Sequence, residues 1–308
     1  MVKVAFIFFV LLQGISIMIY SIENGVYAAA LTPLRSDLRC DDNLLTKHCL
    51  QLMERGCKGV VLFGTTGEGP SFSVQEKKST LKQVISNGLD PKKMIVANGA
   101  SSLQDTVDLG LAALENDCFA YLVAPPCFFT NVTEAGVLSF YREVIQRISD
   151  PRLQVILYHI PQYTGVPLSI NIVKTLCTEF PNIVVGLKES EGNLSFVKEI
   201  LETVPHCQVF VGKEEQIPLA VSYGASGTIC GIANVWPELI CSVYQTGNIS
   251  GLKQVLSLFK NRSFISSCKA LLSDSKNSSW NLVRPPLIPL SPQETNLLKN
   301  LKSNLTFN

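Results

Sequence analysis

Histidine is scarce in this 308-residue chain, which contains only His48, His159 and His206. The ten cysteines are spread along the sequence, and no two of them form a C-x-x-C pair. Zinc sites are commonly built from such pairs together with histidines, so we expect no metal site. Cysteines inside apolar runs, such as Cys118 and Cys230, are typical of small buried hydrophobic residues. They indicate free thiols in a reducing compartment.

An excess of charge of one sign is also lacking. The 26 lysines and arginines balance 25 aspartates and glutamates, and the formal net charge is +1. No block of like charge interrupts the sequence. Because nucleic-acid-binding surfaces are strongly basic, we predict no nucleic-acid partner.

Residues 1–22 form an apolar segment that resembles the core of a signal peptide. It is interrupted at Gln13, lacks a clear small-x-small cleavage site and is marginal as a membrane span. Translation starting at Met18 is an alternative. Six N-x-[ST] sequons would suit secretion, but a glycan at Asn193 would disrupt the strand before it. We predict a cytoplasmic protein and leave secretion or membrane anchoring open.

From Val26 onward, short apolar segments alternate with longer amphipathic segments. Eight segments have strand character: 26–31, 59–63, 94–99, 119–125, 153–160, 183–188, 208–212 and 226–231. Eight βα units predict a TIM (β/α)8 barrel, with an open α/β sheet as the alternative. After Pro237 the sequence predicts three helices, at 237–248, 250–274 and 291–304. We therefore expect a barrel domain over 23–235 and a helical C-terminal extension over 236–308.

The stretch VVGLKESEGN (184–193) places Lys188 at the end of a buried apolar run. Active sites of TIM barrels lie at the C-terminal ends of the strands, so Lys188 is expected at the barrel mouth, shielded from water. An amine removed from water favours its neutral form, which can attack a ketone or aldehyde and form an imine. The ordinary alternative is a lysine that marks the strand end and points into solvent.

Two further candidates end other strands. The turn GTTGEG (64–69) offers backbone amides and the hydroxyls of Thr65 and Thr66, a set that suits a carboxylate. A plain βα loop is the alternative, and the spacing does not match a nucleotide-binding loop. Tyr158 ends strand five, where it can move the proton that imine formation requires. It can equally be a half-buried aromatic residue with a satisfied hydroxyl.

The motifs GTTGE after strand two, Y-x-x-P after strand five and G-[LI]-K-[ED] ending strand six resemble the dihydrodipicolinate synthase and N-acetylneuraminate lyase family. The similarity runs from residues 25–34 through the C-terminal helices. It implies a TIM barrel with a helical C-terminal extension, usually a homotetramer. It also implies chemistry without a cofactor, through a lysine imine with pyruvate or the pyruvoyl end of a 2-oxo acid, and an aldehyde as second substrate.

The resemblance assigns roles to individual residues. Lys188 would be the Schiff-base lysine, Tyr158 the proton-shuttling tyrosine, and Thr65 a member of its hydroxyl relay. The residues implied to bind substrate are Thr66, which with the turn amides from Gly64 onward would hold the pyruvate carboxylate, and Ile229, which would line the pocket.

Two departures from the family pattern concern the relay and the second substrate. Phe128 and Phe129 stand where many members carry a tyrosine pair that completes the relay across a subunit interface. Tyr163 stands where the true synthases carry an arginine for the carboxylate of aspartate semialdehyde. A neutral phenol cannot replace a bidentate charged group.

The leading hypothesis is a Schiff-base-forming lyase or aldolase that makes or cleaves a carbon–carbon bond next to a 2-oxo acid. A sugar-acid or hydroxy-oxo-acid aldolase is favoured over the lysine-pathway synthase, 4-hydroxy-tetrahydrodipicolinate synthase. A dehydratase using the same imine is open. An alternative of another class is a non-catalytic descendant that binds a 2-oxo acid.

Overall fold

The computed structural model of the chain describes residues 22–99, 101–274 and 278–305. Eight parallel strands close into a barrel in chain order, and β8 pairs with β1. The strands β1 to β8 are Gly25–Ala29, Gly59–Leu62, Met94–Ala97, Ala120–Val123, Val155–His159, Val184–Glu189, Gln208–Val211 and Gly227–Cys230. The prediction of a TIM barrel is confirmed, and the alternative of an open sheet is wrong.

Helices connect the strands and cover the outside of the barrel. The helices α1 to α8 are Asp42–Glu54, Val74–Ser86, Leu103–Glu115, Glu134–Ile148, Pro161–Thr164, Ile170–Glu179, Leu194–Thr203 and Ile217–Ser222. Polar residues start many of them: the Ser73 side chain, for example, accepts from the Glu76 amide while the Glu76 carboxylate accepts from Ser73. Such reciprocal caps satisfy amides that the first helical turn leaves unpaired.

Two apolar layers hold the barrel together. The residues of the inner layer fill the barrel itself and include Val61, Ile95, Leu122, Ile156, Phe210 and Ile229. A larger outer layer packs the opposite faces of the strands against the helices. Successive strand residues point to opposite faces, so short and uninterrupted apolar runs supply both layers at once.

In the part of the chain that the structure describes, four α-helices follow the last strand and form the C-terminal extension. These are α9 Pro237–Thr246, α10 Ser250–Ser257, α11 Phe264–Leu272 and α12 Pro292–Ser303. The prediction of one helix over 250–274 was wrong, because Asn261 adopts a left-handed conformation with φ 60° and Ser263 caps a new helix. The boundary between 235 and 236 stays a prediction.

The apolar N-terminal segment lies outside the described residues apart from Ile22, which is buried and hydrogen-bonded to Gln208. Within the described ranges, no helix is long and apolar enough to cross a membrane.

Candidate active site

Lys188 lies at the C-terminal end of β6 and is only 4% exposed. The register between β5 and β6 passes from Val155 opposite Val184 to Ile156 opposite Gly186, which leaves one extra residue in β6. Because a shift of one residue moves side chains to the other face of a strand, this bulge decides where Lys188 points.

The neighbouring Gly186 allows β6 and β7 to approach closely. A Cβ at this position would lie 2.7 Å from the backbone carbonyl oxygen of Gln208 on β7. The glycine of the G-L-K-E motif is therefore required by strand packing beside the lysine, since any side chain would push the two strands apart.

Tyr158 stands directly opposite Lys188 in the register of β5 and β6. The Lys188 Nζ donates to the Tyr158 Oη at 3.2 Å and lies 4.3 Å from the centre of the tyrosine ring. Tyr158 is 5% exposed, so the amine and the phenol meet in a site largely closed to bulk water. Such a contact can pass a proton between the two groups.

Thr65 extends this contact to a third side chain. Its Oγ1 lies 3.4 Å from the Tyr158 Oη, so a continuous chain of polar atoms runs from Lys188 through Tyr158 to Thr65. The turn that carries Thr65 is closed by backbone bonds from the Glu68 amide to the Thr65 carbonyl, 3.1 Å, and from Gly69 to Gly64, 3.0 Å.

Thr66 and Ile229 lie on the side of the site formed by β8. Ile229 is fully buried and pairs with Tyr27 across the β1–β8 contact. A Cβ at Gly231, just after β8, would lie 3.2 Å from the Thr66 Oγ1. The turn after β2 and the end of β8 therefore come together, as expected for residues that share one barrel mouth.

A cavity of about 530 Å³ opens beside the polar chain. Its wall includes Gly64, Thr65 and Tyr158 together with apolar and aromatic residues, among them Phe63, Phe72, Ala97, Pro125, Ile160 and Tyr163. Lys188, Thr66 and Ile229 do not border it. A cavity of this size and composition can hold a small organic molecule in contact with Tyr158.

Two residues with charged side chains, Lys77 and Asp105, also line this cavity along its described wall. Lys77 is 1% exposed and donates from its Nζ to the Asn98 carbonyl oxygen at 2.7 Å. Burial lowers the pKa of Lys77 to about 8. Sequence reasoning missed this amine, because its helix α2 has an ordinary amphipathic pattern.

The residues that depart from the family pattern are exposed. Phe128 and Phe129 are 86% and 73% exposed, and their rings meet edge to face at 5.3 Å. Tyr163 is 70% exposed and borders the cavity. Neither phenylalanine contributes a hydroxyl to the polar chain of Lys188, Tyr158 and Thr65.

Sequence reasoning also missed a polar cluster beside the site, formed by His159, Glu189 and Glu191. One potential metal ligand atom from each residue lies within 4.8 Å of the others. However, the His159 Nδ1 accepts from the Leu168 amide at 3.0 Å, which places the imidazole proton on Nε2, 3.1 Å from Glu191. A ligating histidine normally donates from its second nitrogen, so this tautomer does not fit a metal ligand.

A buried lysine and a tyrosine side by side at the C-terminal ends of adjacent strands are the arrangement of a TIM-barrel enzyme. The sequence pattern of the Dihydrodipicolinate synthetase family matches residues 23–304. The chain belongs to this family and is a carbon–carbon or carbon–oxygen lyase.

Proteins that are similar to this chain carry different names. A DapA-like lyase of Chloroflexus aurantiacus, itself described as uncharacterized, is 32% identical over 90% of this chain and 95% of its own length. A dihydrodipicolinate synthase structure from Agrobacterium tumefaciens superposes with a TM-score of 0.86 at 29% identity, covering 92% of this chain and 99% of its own. A 2-keto-3-deoxygluconate aldolase variant from Sulfolobus solfataricus, 22% identical, has the same fold with a TM-score of 0.79 and coverage of 90% and 94%.

Proposed function

We propose that the protein is a Schiff-base-forming lyase or aldolase that acts on pyruvate or on the pyruvoyl end of a longer 2-oxo acid. The observation that carries this proposal is the buried Lys188 Nζ at 3.2 Å from the Tyr158 Oη. An amine held beside a proton-transferring phenol is what imine formation requires. A binding protein without catalysis would not need this contact.

In the proposed reaction, the Lys188 amine attacks the ketone carbon of the 2-oxo acid and forms a carbinolamine. Tyr158 delivers a proton to the departing hydroxyl, which leaves as water, and the imine forms. Thr65 receives and returns the proton through its contact with Tyr158. In the synthetic direction, the carbon next to the protonated imine loses a proton to give an enamine, which forms the bond to the aldehyde carbon while the aldehyde oxygen takes up a proton. Cleavage is the reverse, and water finally hydrolyses the imine to release the 2-oxo acid and the Lys188 amine. No external oxidant or cofactor is needed to balance these steps.

The carboxylate of the 2-oxo acid would be held by the turn 64–69. The Thr66 hydroxyl and the turn amides are donors of the type that binds carboxylates, and the turn adjoins the end of β8. Ile229 would form the apolar wall against the substrate methyl group. These assignments follow the family motif and are supported by the nearness of Thr66 to the end of β8.

The proposed second substrate is an aldehyde other than aspartate semialdehyde. It lacks the carboxylate that an arginine binds in the lysine-pathway synthase. Tyr163 occupies the position at which the resemblance implies an arginine, and along the described wall of the cavity no arginine is present. A sugar-acid or hydroxy-oxo-acid aldolase is therefore favoured. The synthase is the second candidate, because the relative from Agrobacterium tumefaciens carries that name.

We also propose that the protein is a homo-oligomer, most simply the tetramer implied by the resemblance. Its proposed location is the cytoplasm. The exposed pair of Phe128 and Phe129 supports self-association, since adjacent exposed aromatic rings are typical of interaction surfaces. The absence of a cofactor, of a metal and of a nucleic-acid partner stays a prediction.

The deciding experiment is incubation with pyruvate, reduction with borohydride, and location of the adduct by mass spectrometry. We expect an adduct on Lys188 that is absent in Lys188→Ala. The matched control is Lys77→Met, which removes another buried lysine from the same region and should leave the adduct in place. Absence of any adduct, with pyruvate and with longer 2-oxo acids, would overturn the proposal. An adduct without turnover on any aldehyde would favour the non-catalytic alternative.

A further inference from the structure

The turn 64–69 ends in a buried carboxylate that is bound from the C-terminal extension. The Glu68 Oε1 forms an ion pair with the Lys269 Nζ, and the two side chains are 0% and 1% exposed. The Glu68 Oε2 accepts from the Arg284 backbone amide at 2.7 Å. Lys269, on α11, also donates to the Leu282 carbonyl oxygen at 2.7 Å. Both oxygens of Glu68 are thus occupied by residues more than 200 positions away.

The backbone of this turn is strained at both ends. Phe63 and Glu68 adopt left-handed conformations with φ of 59° and 57°, although neither is glycine. Left-handed conformations are unfavourable for residues that carry a Cβ. A Cβ at Gly69 would lie 1.6 Å from the Phe63 carbonyl oxygen, so the chain also folds back tightly on itself. A turn of this shape needs contacts from outside to persist.

Arg284, in the C-terminal extension, makes a second set of contacts with the residues that directly follow the turn. Its guanidinium donates to the Ser71 carbonyl oxygen at 2.6 Å and to the Glu76 Oε1 at 2.5 Å, and it lies 3.7 Å from the centre of the Phe72 ring. Its side chain is 12% exposed. Because Phe72 borders the cavity, the extension is connected to the cavity wall as well as to the turn.

We propose that Lys269 is a positioning residue for catalysis, which together with the Arg284 backbone amide acts through Glu68 on the turn that carries Thr65 and Thr66. The Glu68 amide is hydrogen-bonded to the Thr65 carbonyl, and Thr65 touches Tyr158, so the path to Lys188 is continuous. The inference rests on the proposed function, in which this turn holds the pyruvate carboxylate. It assigns to the helical extension a part in the active site.

The energetics favour positioning over simple stabilisation. A fully buried ion pair is often no more stabilising than an apolar pair of similar volume, because both charges lose their hydration. The hydrogen bonds beside the pair, from the Arg284 amide to Glu68 and from Lys269 to the Leu282 carbonyl oxygen, nevertheless fix one geometry. A displacement of the turn by about 1 Å is enough to reduce catalysis up to 100-fold. A rigid turn keeps the Thr65 hydroxyl in contact with the Tyr158 hydroxyl.

The test compares Lys269→Met with the double variant Glu68→Gln/Lys269→Met. The single variant leaves a buried carboxylate without its cation and should lose stability. The double variant removes both charges, so we expect it to recover much of that stability. If the ion pair positions the turn, the pyruvate concentration that half-saturates borohydride trapping should still rise about 10-fold or more.

Lys299→Met is the matched control, because Lys299 bonds Ser273 within the extension and does not reach the turn. It should trap pyruvate as the wild type does. A double variant with recovered stability and wild-type half-saturation would overturn the inference alone. A wild-type protein that forms no imine would instead overturn the proposed function, and this inference with it.

Discussion

Tyr158 and Lys188 occupy paired positions of two neighbouring parallel strands, and their side chains meet at 3.2 Å between Oη and Nζ. The helices α5 and α6 lie between the two residues in the sequence. The distance between their side chains is nevertheless fixed by the pairing of β5 with β6. The contact is therefore as rigid as the barrel itself, unlike one made between surface loops.

Replacing Tyr158 by Phe tests the role of this hydroxyl. The ring beneath the lysine amine would remain, and the group that contacts both Lys188 and Thr65 would be lost. We expect the turnover rate to fall about 10²- to 10⁴-fold, since proton transfer by a positioned side chain contributes that much. Single-turnover trapping of the pyruvate imine would measure the effect directly.

Tyr141→Phe is the matched control for this variant. Tyr141 is buried, and its hydroxyl donates to the Val123 carbonyl oxygen at 3.0 Å, away from the polar chain. Its loss should cost about 1 kcal/mol of stability and leave trapping unchanged. Equal trapping rates in both variants would contradict a proton-transferring role for Tyr158.

Much of this architecture could be predicted from the sequence because the barrel strands are buried on both faces. Each strand is a short apolar run bounded by turn residues, and such runs identify both the strands and the polar residues that end them. The run that ends at Lys188 predicts the position of this lysine in the same way. In the extension the signal is weaker: the helical pattern continues from α10 into α11, and the left-handed Asn261 that separates them has no distinctive sequence.

Two features of the site could not be predicted from the sequence at all. The bulge in β6 depends on pairing with β5, and periodicity cannot show that Val185 is an extra residue. The pair of Glu68 and Lys269 joins distant segments, and each residue by itself would be expected on the surface. Pairing and long-range charge contacts are properties of the folded chain.

Gly186→Ala tests whether close strand packing positions the lysine. The added methyl would lie 2.7 Å from the Gln208 carbonyl oxygen, a backbone atom that cannot move without shifting β7. We expect a loss of about 1–3 kcal/mol in the free energy of unfolding and slower imine trapping. Gly136→Ala in α4 is the control, since its nearest neighbour would lie at an ordinary 3.6 Å. Unchanged unfolding of the Gly186 variant would refute the packing argument.

Tyr163→Arg tests what selects the second substrate. Tyr163 is 70% exposed, so the substitution should change stability by less than about 0.5 kcal/mol. An arginine at the cavity rim can bind a carboxylate through two parallel hydrogen bonds. We expect kcat/KM for acceptor aldehydes that carry a carboxylate to rise roughly tenfold. Tyr163→Lys should give a smaller gain, because an ammonium lacks the planar fork. No preference for carboxylated aldehydes in either variant would show that other residues select the acceptor.

His48 gives the fold a dependence on pH that is independent of the active site. It is buried in α1, and its Nε2 lies 2.9 Å from the Asn234 Oδ1. The Asn234 Nδ2 donates to the carbonyl oxygens of Ala29 and Gly231. The Asn234 Oδ1 is therefore an acceptor, and the His48 Nε2 is the donor in their contact. Burial lowers the pKa of His48 from 6.5 to about 4. The folded protein therefore favours the neutral ring.

The pKa of His48 is lower in the folded than in the unfolded state, so its neutral form stabilises the fold. This contribution to the free energy of unfolding is complete above pH 6.5 and is lost as the pH falls to about 4. The shift corresponds to about 3 kcal/mol of unfolding free energy. We expect His48→Gln, which keeps a donor for Asn234 but cannot titrate, to lose correspondingly less stability between pH 7 and pH 4 in urea titrations. His206→Gln, at an exposed histidine, should follow the wild type. Parallel pH curves for wild type and His48→Gln would mean that another group is responsible for the acid sensitivity.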